Sequence, residues 1–222
     1  FKASRSAGIP LSKYVFNSLF ITAAVVFGSL LFSTMAAYAL SKLKFKGRNM
    51  MMQINQIALM FVSCAVMIPR YLVVNKLGMI DTYWAEILPL IALPVGLFLI
   101  KQFVDQVPDS LIEAAYMDGA TEWKIYFKII IPMIKPAIAT AAILVFQQVW
   151  TNLETSNYYI NDDSLKTLAF YMSTLTSTTT TNTVAGQGIS AAASLIMFLP
   201  NLILFCLLQK NVMNTMAHSG IK

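Results

Sequence analysis

The chain has 222 residues, 57% of them hydrophobic and 12% charged, with a formal net charge of +6. Soluble domains run about 45–50% apolar and about 25% charged. This composition, with its positive mean hydropathy, therefore excludes an ordinary water-soluble domain and points to a membrane protein. The basic residues fall in short stretches between apolar runs, where topology accounts for them, so the charge carries no nucleic-acid signal.

Residues Phe1 to Lys13 are polar and basic and read as a surface turn. From Tyr14 to Leu40 the chain is apolar and free of charge, long enough for a tilted transmembrane helix of about 20 residues or more. Gly28, Ser29, Ser33, Ala36 and Ala37 lie along it and suit close helix packing. Lys42, Lys44, Lys46 and Arg48 follow. They read as a cytoplasmic loop under the positive-inside rule, with contact to a cytoplasmic partner or anionic lipid as the alternative. A second span is predicted over Met50 to Ile68, ending at Pro69 and carrying Gln53, Asn55, Gln56 and Ser63. Arg70 to Tyr83 reads as a polar connection. The third predicted span, Trp84 to Ile100, contains Pro89, Pro94 and Gly96, which should kink or loosen it.

Lys101, Asp105, Asp109, Glu113, Asp118, Glu122, Lys124, Lys128 and Lys135 then crowd together between apolar runs. Val107-Pro108-Asp109-Ser110 reads as a helix start, and Ser110 with Glu113 fits a capping box. Ala114 and Ala115 favour helix, and Gly119 permits a turn. A second helix is expected over Thr121 to Ile131, stopping at Pro132, with Trp123, Tyr126, Phe127 and Ile130 as a membrane-facing side. On these grounds alone the segment could be an amphipathic connector resting on lipid headgroups.

A fourth span covers Met133 to Leu153, with Gln147, Gln148, Thr151 and Asn152 at its far end. Residues Glu154 to Gly188 are polar and rich in Thr, including Thr178 to Thr181, although Leu168, Phe170, Tyr171 and Leu175 suggest that part of them packs. A fifth span is expected over Ile189 to Leu208, interrupted at Pro200 and Asn201, followed by a polar tail with the lone His218. Cys64 and Cys206 sit in apolar runs and read as small packing residues.

With the Lys42–Arg48 loop placed in the cytoplasm, the charged segment and the tail share its side, which then holds ten of the sixteen Lys and Arg residues. The 154–188 loop and the basic start lie outside, and an outside start predicts a further helix before Phe1. Five spans make the expected fold an all-α membrane protein, a bundle of five transmembrane helices.

Glu113-Ala114-Ala115, then Gly119, Ile129 and Pro132, occur at the spacing that marks the permease subunits of binding-protein-dependent ABC importers. Seven positions over twenty residues are involved, and the one departure is Ile131 in place of Leu. Asn17-Ser18-Leu19, Ala36 to Leu40, Phe45-Lys46-Gly47-Arg48, Ile68-Pro69, Leu77-Gly78 and Asp118-Gly119-Ala120 resemble the maltose-type carbohydrate-uptake permeases. At Trp150-Thr151-Asn152-Leu153-Glu154 the sequence departs from that group's usual Trp-Asn-x-Phe-like pattern.

The resemblance implies one permease domain over 1–222, with six spans in the full family. It implies a cytoplasmic coupling loop over 105–132 and an extracellular loop over 154–188. Glu113, Ala114, Ala115, Gly119, Ile129 and Pro132 would then form a helix pair that docks in a separate ATPase. That partner would hold ATP and magnesium; this chain would carry no cofactor, metal or catalytic residue, and it has no Gly-x-x-x-x-Gly-Lys-Ser/Thr phosphate loop. The implied assembly has two ATPase subunits, a second and different permease chain and a solute-binding protein, in a bacterial inner membrane. Gln53, Gln56, Gln147, Gln148 and Asn152 are candidates to line a path for a sugar or oligosaccharide, since amides both donate and accept hydrogen bonds; helix–helix bonding is their other reading. A peptide or phosphoester importer is the alternative within the superfamily. A secondary transporter would need carboxylates inside its spans, and none is read in the cores of these five. An intramembrane enzyme would need convergent acid–base, nucleophilic or metal-binding groups, and the single His lies in the tail.

Overall fold

The computed structural model describes residues 8–61, 63–178 and 184–219. They form helices α1 (Leu11–Lys42), α2 (Arg48–Met60), α3 (Ser63–Lys76), α4 (Tyr83–Ile91), α5 (Pro94–Asp105), α6 (Asp109–Met117), α7 (Glu122–Ile125), α8 (Ile131–Met133), α9 (Lys135–Trp150), α10 (Glu154–Tyr159), α11 (Leu168–Thr178) and α12 (Val184–Ser219). A π-helical turn, Tyr126–Ile130, joins α7 to α8, and a 3-10 turn, Asp163–Leu165, precedes α11. No strand occurs among the described residues.

Among the described residues, three stretches are long and apolar enough to cross a membrane: Leu11–Lys42, Tyr83–Asp105 and Ser190–Gln209. Counting each of two broken helix pairs as one span raises the number to five. At 32 residues, α1 is about 48 Å long, more than a bilayer core of about 30 Å requires. On α12 the apolar side chains Leu195, Phe198, Leu199, Ile203 and Leu207 are exposed. A surface of this size would be unstable in water and belongs against lipid or another chain.

The structure moves several expected boundaries. The second span is broken at Phe61, where the backbone is extended, and Pro69 lies inside α3, so Arg70 is helical and not part of a loop. The third expected span divides into α4 and α5, with Pro94 at the start of α5, where its missing N–H costs nothing. Pro200 and Asn201 do not interrupt α12. Beside this proline the Met197 carbonyl accepts from Trp150 Nε1 at 3.1 Å and from Asn201 Nδ2 at 3.5 Å. Cys206 is a free, exposed thiol on α12 and not a packing residue within the chain. The side chains of Cys64 and His218, and residues Thr179 to Thr181, lie outside the described parts.

The chain divides into two compact units. The first comprises 1–26, 62–91 and 146–205. One of its cores gathers Tyr14, Trp150, Leu168, Met172 and Ala193; another gathers Val74, Ala85, Tyr159 and Ile160. Part of the polar segment after α9 is therefore folded, as Leu168, Tyr171 and Leu175 suggest. Buried polar groups secure it. Asn17 Nδ2 donates to the Ser164 and Lys166 carbonyls at 2.9 and 3.0 Å, and its Oδ1 accepts from Tyr83 Oη at 2.9 Å. Ser18 Oγ accepts from the Leu168 N–H at 2.7 Å, satisfying a free donor at the start of α11. Arg70 donates to Glu154 and to the Tyr159 hydroxyl, both at 2.7 Å. The Asp81 carboxylate accepts from the Asp162 N–H at 3.0 Å and from the backbone and side-chain amides of Asn161, which together hold it below the usual carboxylate range.

One carboxylate, Glu86, is buried near the start of the third expected span, outside its apolar core. It is fully buried in α4, and its Oε1 accepts from Ser156, whose hydroxyl lies 2.9 Å from that of Thr167. The sequence reads as interface there, and the segment after α9 supplies the partner of Glu86.

The second unit comprises 27–61, 92–145 and 206–222. Its core contains Ala37 and Tyr38 of α1, Ile100 and Val104 of α5, Ile112 and Ala115 of α6, and Ile125, Tyr126, Ile130 and Ile134. The small-residue stripe on α1 serves close packing. A methyl group on Gly96 of α5 would meet Ser33 Oγ at 3.4 Å and Ser29 Oγ at 3.9 Å.

Candidate functional site

Residues 105–132 form a hairpin of α6 and α7 within the second unit. Pro108, at φ −60° and ψ 133°, sets the start of α6 one residue before Ser110. Ser110 is therefore inside the helix, and no capping box forms with Glu113. The N-terminal turn is held by Lys42 instead. Its side chain is 6% exposed, and Nζ donates to the Val107 carbonyl at 2.6 Å and to Asp109 at 2.7 Å. This lysine keeps the carboxyl of Asp109 below its ordinary range.

At the other end of α6, Gly119 adopts φ +73°. The Ala120 N–H reaches the Ala115 carbonyl at 2.9 Å and the Gly119 N–H reaches that of Tyr116 at 3.0 Å. This paired closure is the Schellman motif, and it needs a left-handed residue that glycine supplies without steric cost. The turn brings α7 back so that Glu122 accepts from two tyrosines, Tyr38 of α1 at 2.6 Å and Tyr116 of α6. The bond to Glu122 pushes the Tyr116 hydroxyl above its ordinary pKa. Lys42 and Glu122 thus strap both ends of the hairpin to α1.

The exposed face of α6 carries Glu113, Ala114 and Met117, the last 89% exposed, while Ile112 and Ala115 are buried. A small, largely apolar face with one carboxylate, held from behind by an ion pair and a shared carboxylate, is suited to rigid-body contact with another protein.

After α7 the expected stop at Pro132 does not occur. The π turn Tyr126–Ile130 leads into α8, and the Ile131 N–H bonds back to Tyr126. Proline clashes with the carbonyl four residues earlier in a regular helix; the wide turn in front of Pro132 removes that conflict. The turn also divides the expected aromatic side. Trp123 and Phe127 are exposed, whereas Tyr126 and Ile130 are buried, with Tyr126 Oη 2.7 Å from Thr34 Oγ1. Ile129 packs against the core and Pro132 is exposed.

Residues 29–212 match the family described as the binding-protein-dependent transport system inner membrane component. The chain belongs to this family. It is 35% identical over 230 residues to the LplC protein of Bacillus subtilis (strain 168), covering 95% of this chain and 77% of that one. It is 34% identical over 206 residues to the arabinooligosaccharides transport system permease AraQ of Halalkalibacterium halodurans, covering 93% and 72%. Among solved structures, a bacterial ABC transporter involved in the import of the acidic polysaccharide alginate matches with a TM-score of 0.80 and 25% identity, over 93% of this chain and 77% of that one. The permease is thus a multi-pass membrane protein from a family of transport subunits.

In the permease, the five candidate path amides fall in both units. Gln53 and Gln56 are exposed on α2, while Gln147 and Gln148 are exposed near the end of α9. Asn152 is half-buried and its Oδ1 accepts from the Thr155 N–H at 3.1 Å and hydroxyl at 2.9 Å. The residues that position the hairpin, Lys42, Tyr38, Tyr116 and Glu122, were not singled out for that role by sequence. Lys42 could be found as the first of four cations, placed at the end of a span where its stem stays in the apolar phase.

Lys42→Met is expected to loosen the hairpin without unfolding the spans. It leaves the Val107 carbonyl without its donor, at a cost of about 1–3 kcal/mol. Hydrogen exchange should speed up by about tenfold for amides 107–112, with amides of α1 unchanged.

Proposed function

We propose that the chain is the transmembrane permease subunit of a bacterial ABC importer for a sugar or oligosaccharide. The observation that carries this reading is the strapped α6–α7 hairpin, whose outward face bears Glu113, Ala114 and Met117. On this reading the hairpin lies in the cytoplasm and seats in a cleft of a separate ATPase, which binds ATP and magnesium. Closure of two such ATPase subunits moves the hairpin as a body. Lys42 and Glu122 pass that movement to α1, and the core through Ile130 and Ile134 passes it to α9.

The relatives' transport of arabinooligosaccharides and of alginate supports a carbohydrate as the solute. The segment from Glu154 onward, outside the membrane, receives a solute-binding protein. A different permease chain completes the assembly. The exposed amides Gln53, Gln56, Gln147 and Gln148 suit a hydroxyl-rich solute; Asn152 shares this role through its remaining N–H groups. The test is co-purification of the assembled complex, followed by ATP hydrolysis with a panel of sugars and the co-purified binding protein. Stimulation by an oligosaccharide supports the reading. Stimulation by a peptide or phosphoester, and by no sugar, overturns the assignment of solute.

A further inference from the structure

A cavity of about 280 Å³ opens in the second unit between the end of α1 and α7. At about 30 Å³ per water this is space for roughly nine waters. It is lined by Met35, Tyr38, Ala39, Leu43, Trp123 and Tyr126, together with Glu122. The charged group of this wall is a carboxylate. No ion pair to Glu122 occurs among the described residues; its partners there are two tyrosine hydroxyls.

Three aromatic rings stand beside it. Tyr38 and Tyr126 have centroids 5.6 Å apart, and Trp123 meets Tyr126 edge-on at 6.3 Å. Ring faces attract cations, tryptophan most strongly, and each oxygen of Glu122 keeps a free lone pair beyond its tyrosine bond. Both features select a positive group with N–H donors and disfavour an anion.

An apolar stripe leads away from the cavity along the helix. Phe27, Leu31, Met35, Ala39 and Leu43 follow one another at four-residue spacing, which aligns them along α1. Phe27, Leu31 and Met35 are exposed. An apolar stripe on a membrane span that ends in an aromatic, carboxylate-bearing cavity fits an amphiphile with an ammonium head and an acyl chain.

We infer that this cavity holds the ethanolamine headgroup of a membrane phospholipid, with its ammonium between Glu122 and the rings and one acyl chain along the Phe27–Leu31–Met35 stripe. The lipid would brace α7 against α1 at the same carboxylate that ties the hairpin down. The basic loop residues Lys44, Lys46 and Arg48 draw anionic lipid to this side by simple charge. A preference for ethanolamine lipid at Trp123 would therefore run against the background attraction.

The test uses the assembled importer in phosphatidylcholine nanodiscs containing one-tenth brominated phosphatidylethanolamine or brominated phosphatidylglycerol. Tryptophan quenching is measured in the wild type and in Trp123→Phe, and the difference isolates Trp123. Quenching of Trp123 by the ethanolamine lipid should exceed that by the glycerol lipid about threefold. Glu122→Gln should abolish the preference. Ala39→Phe, which fills the cavity and leaves the carboxylate in place, should abolish it too. Equal quenching by the two lipids, or a preference that survives either variant, overturns the assignment. Transport and ATP hydrolysis do not enter the readout, so failure here is separate from failure of the coupling role.

Discussion

Glu113→Lys in the assembled importer is expected to lower binding-protein-stimulated ATP hydrolysis by at least about tenfold, with the permease still inserted and folded. The side chain is exposed on α6 and makes no hydrogen bond or ion pair among the described residues that the reversal would break. Its replacement should therefore leave the hairpin intact. At a docked interface a reversed charge is desolvated against a surface shaped for the opposite sign, a penalty of about 2–5 kcal/mol, and each 1.4 kcal/mol is about a factor of ten. Met117→Arg should act in the same direction, because Met117 shares that face and is almost fully exposed. Basal, unstimulated hydrolysis by the ATPase should be unchanged. Full stimulation in both variants would sink the coupling role of α6.

The second large effect is expected at Asn17. Asn17→Leu keeps the branched outline, with larger methyl groups, and removes all polar function from a side chain that is wholly buried. Three groups lose their partner: the carbonyls of Ser164 and Lys166 and the hydroxyl of Tyr83. Each stranded buried group costs about 1–3 kcal/mol, so a total near 3 kcal/mol is expected after local relaxation. Thermal unfolding of the purified permease should shift down by several degrees. Limited proteolysis should begin to cut near residues 162–168, which the wild type protects. Protection equal to wild type in Asn17→Leu would refute the clamp.

What the sequence disclosed and what it hid divide along physical lines. An uninterrupted apolar run made α1 legible, because its signal is local and long, and the apolar stretch of α12 was legible in spite of Pro200. Gly119 was legible too, since a helix followed by glycine and then a new helical pattern needs a left-handed residue. Prolines misled wherever hydrogen bonding, and not chain direction, decided the outcome. Pro69, Pro132 and Pro200 all lie inside helical structure, and all were read as stops or interruptions.

The straps of the hairpin were hidden for another reason. Lys42 meets its partners 65 and 67 residues away, and Tyr38 meets Glu122 across 84. A single sequence has no signal for such pairings. Nothing local marks Glu86 as buried, since its hydrogen-bond partner Ser156 lies 70 residues on.

The wide turn at Tyr126–Ile130 also bears on how this segment tolerates changes of length. A π turn in an α-helix is equivalent to one surplus residue. With 3.6 residues per turn, that surplus rotates α8 by about 100° relative to an unbroken helix. The chain then bends by 76° between α8 and α9, so the turn sets the aspect of α8 and of Ile134, which lies in the core. Deleting one residue here would restore a regular helix and turn α8 and Ile134 out of phase with the core that α7 shares, whereas a point substitution on the exposed side, at Phe127 or Lys128, leaves the phase intact. Relatives that vary in length should therefore place their gaps elsewhere, and between Glu122 and Lys135 the spacing of residues constrains the chain more tightly than their identity.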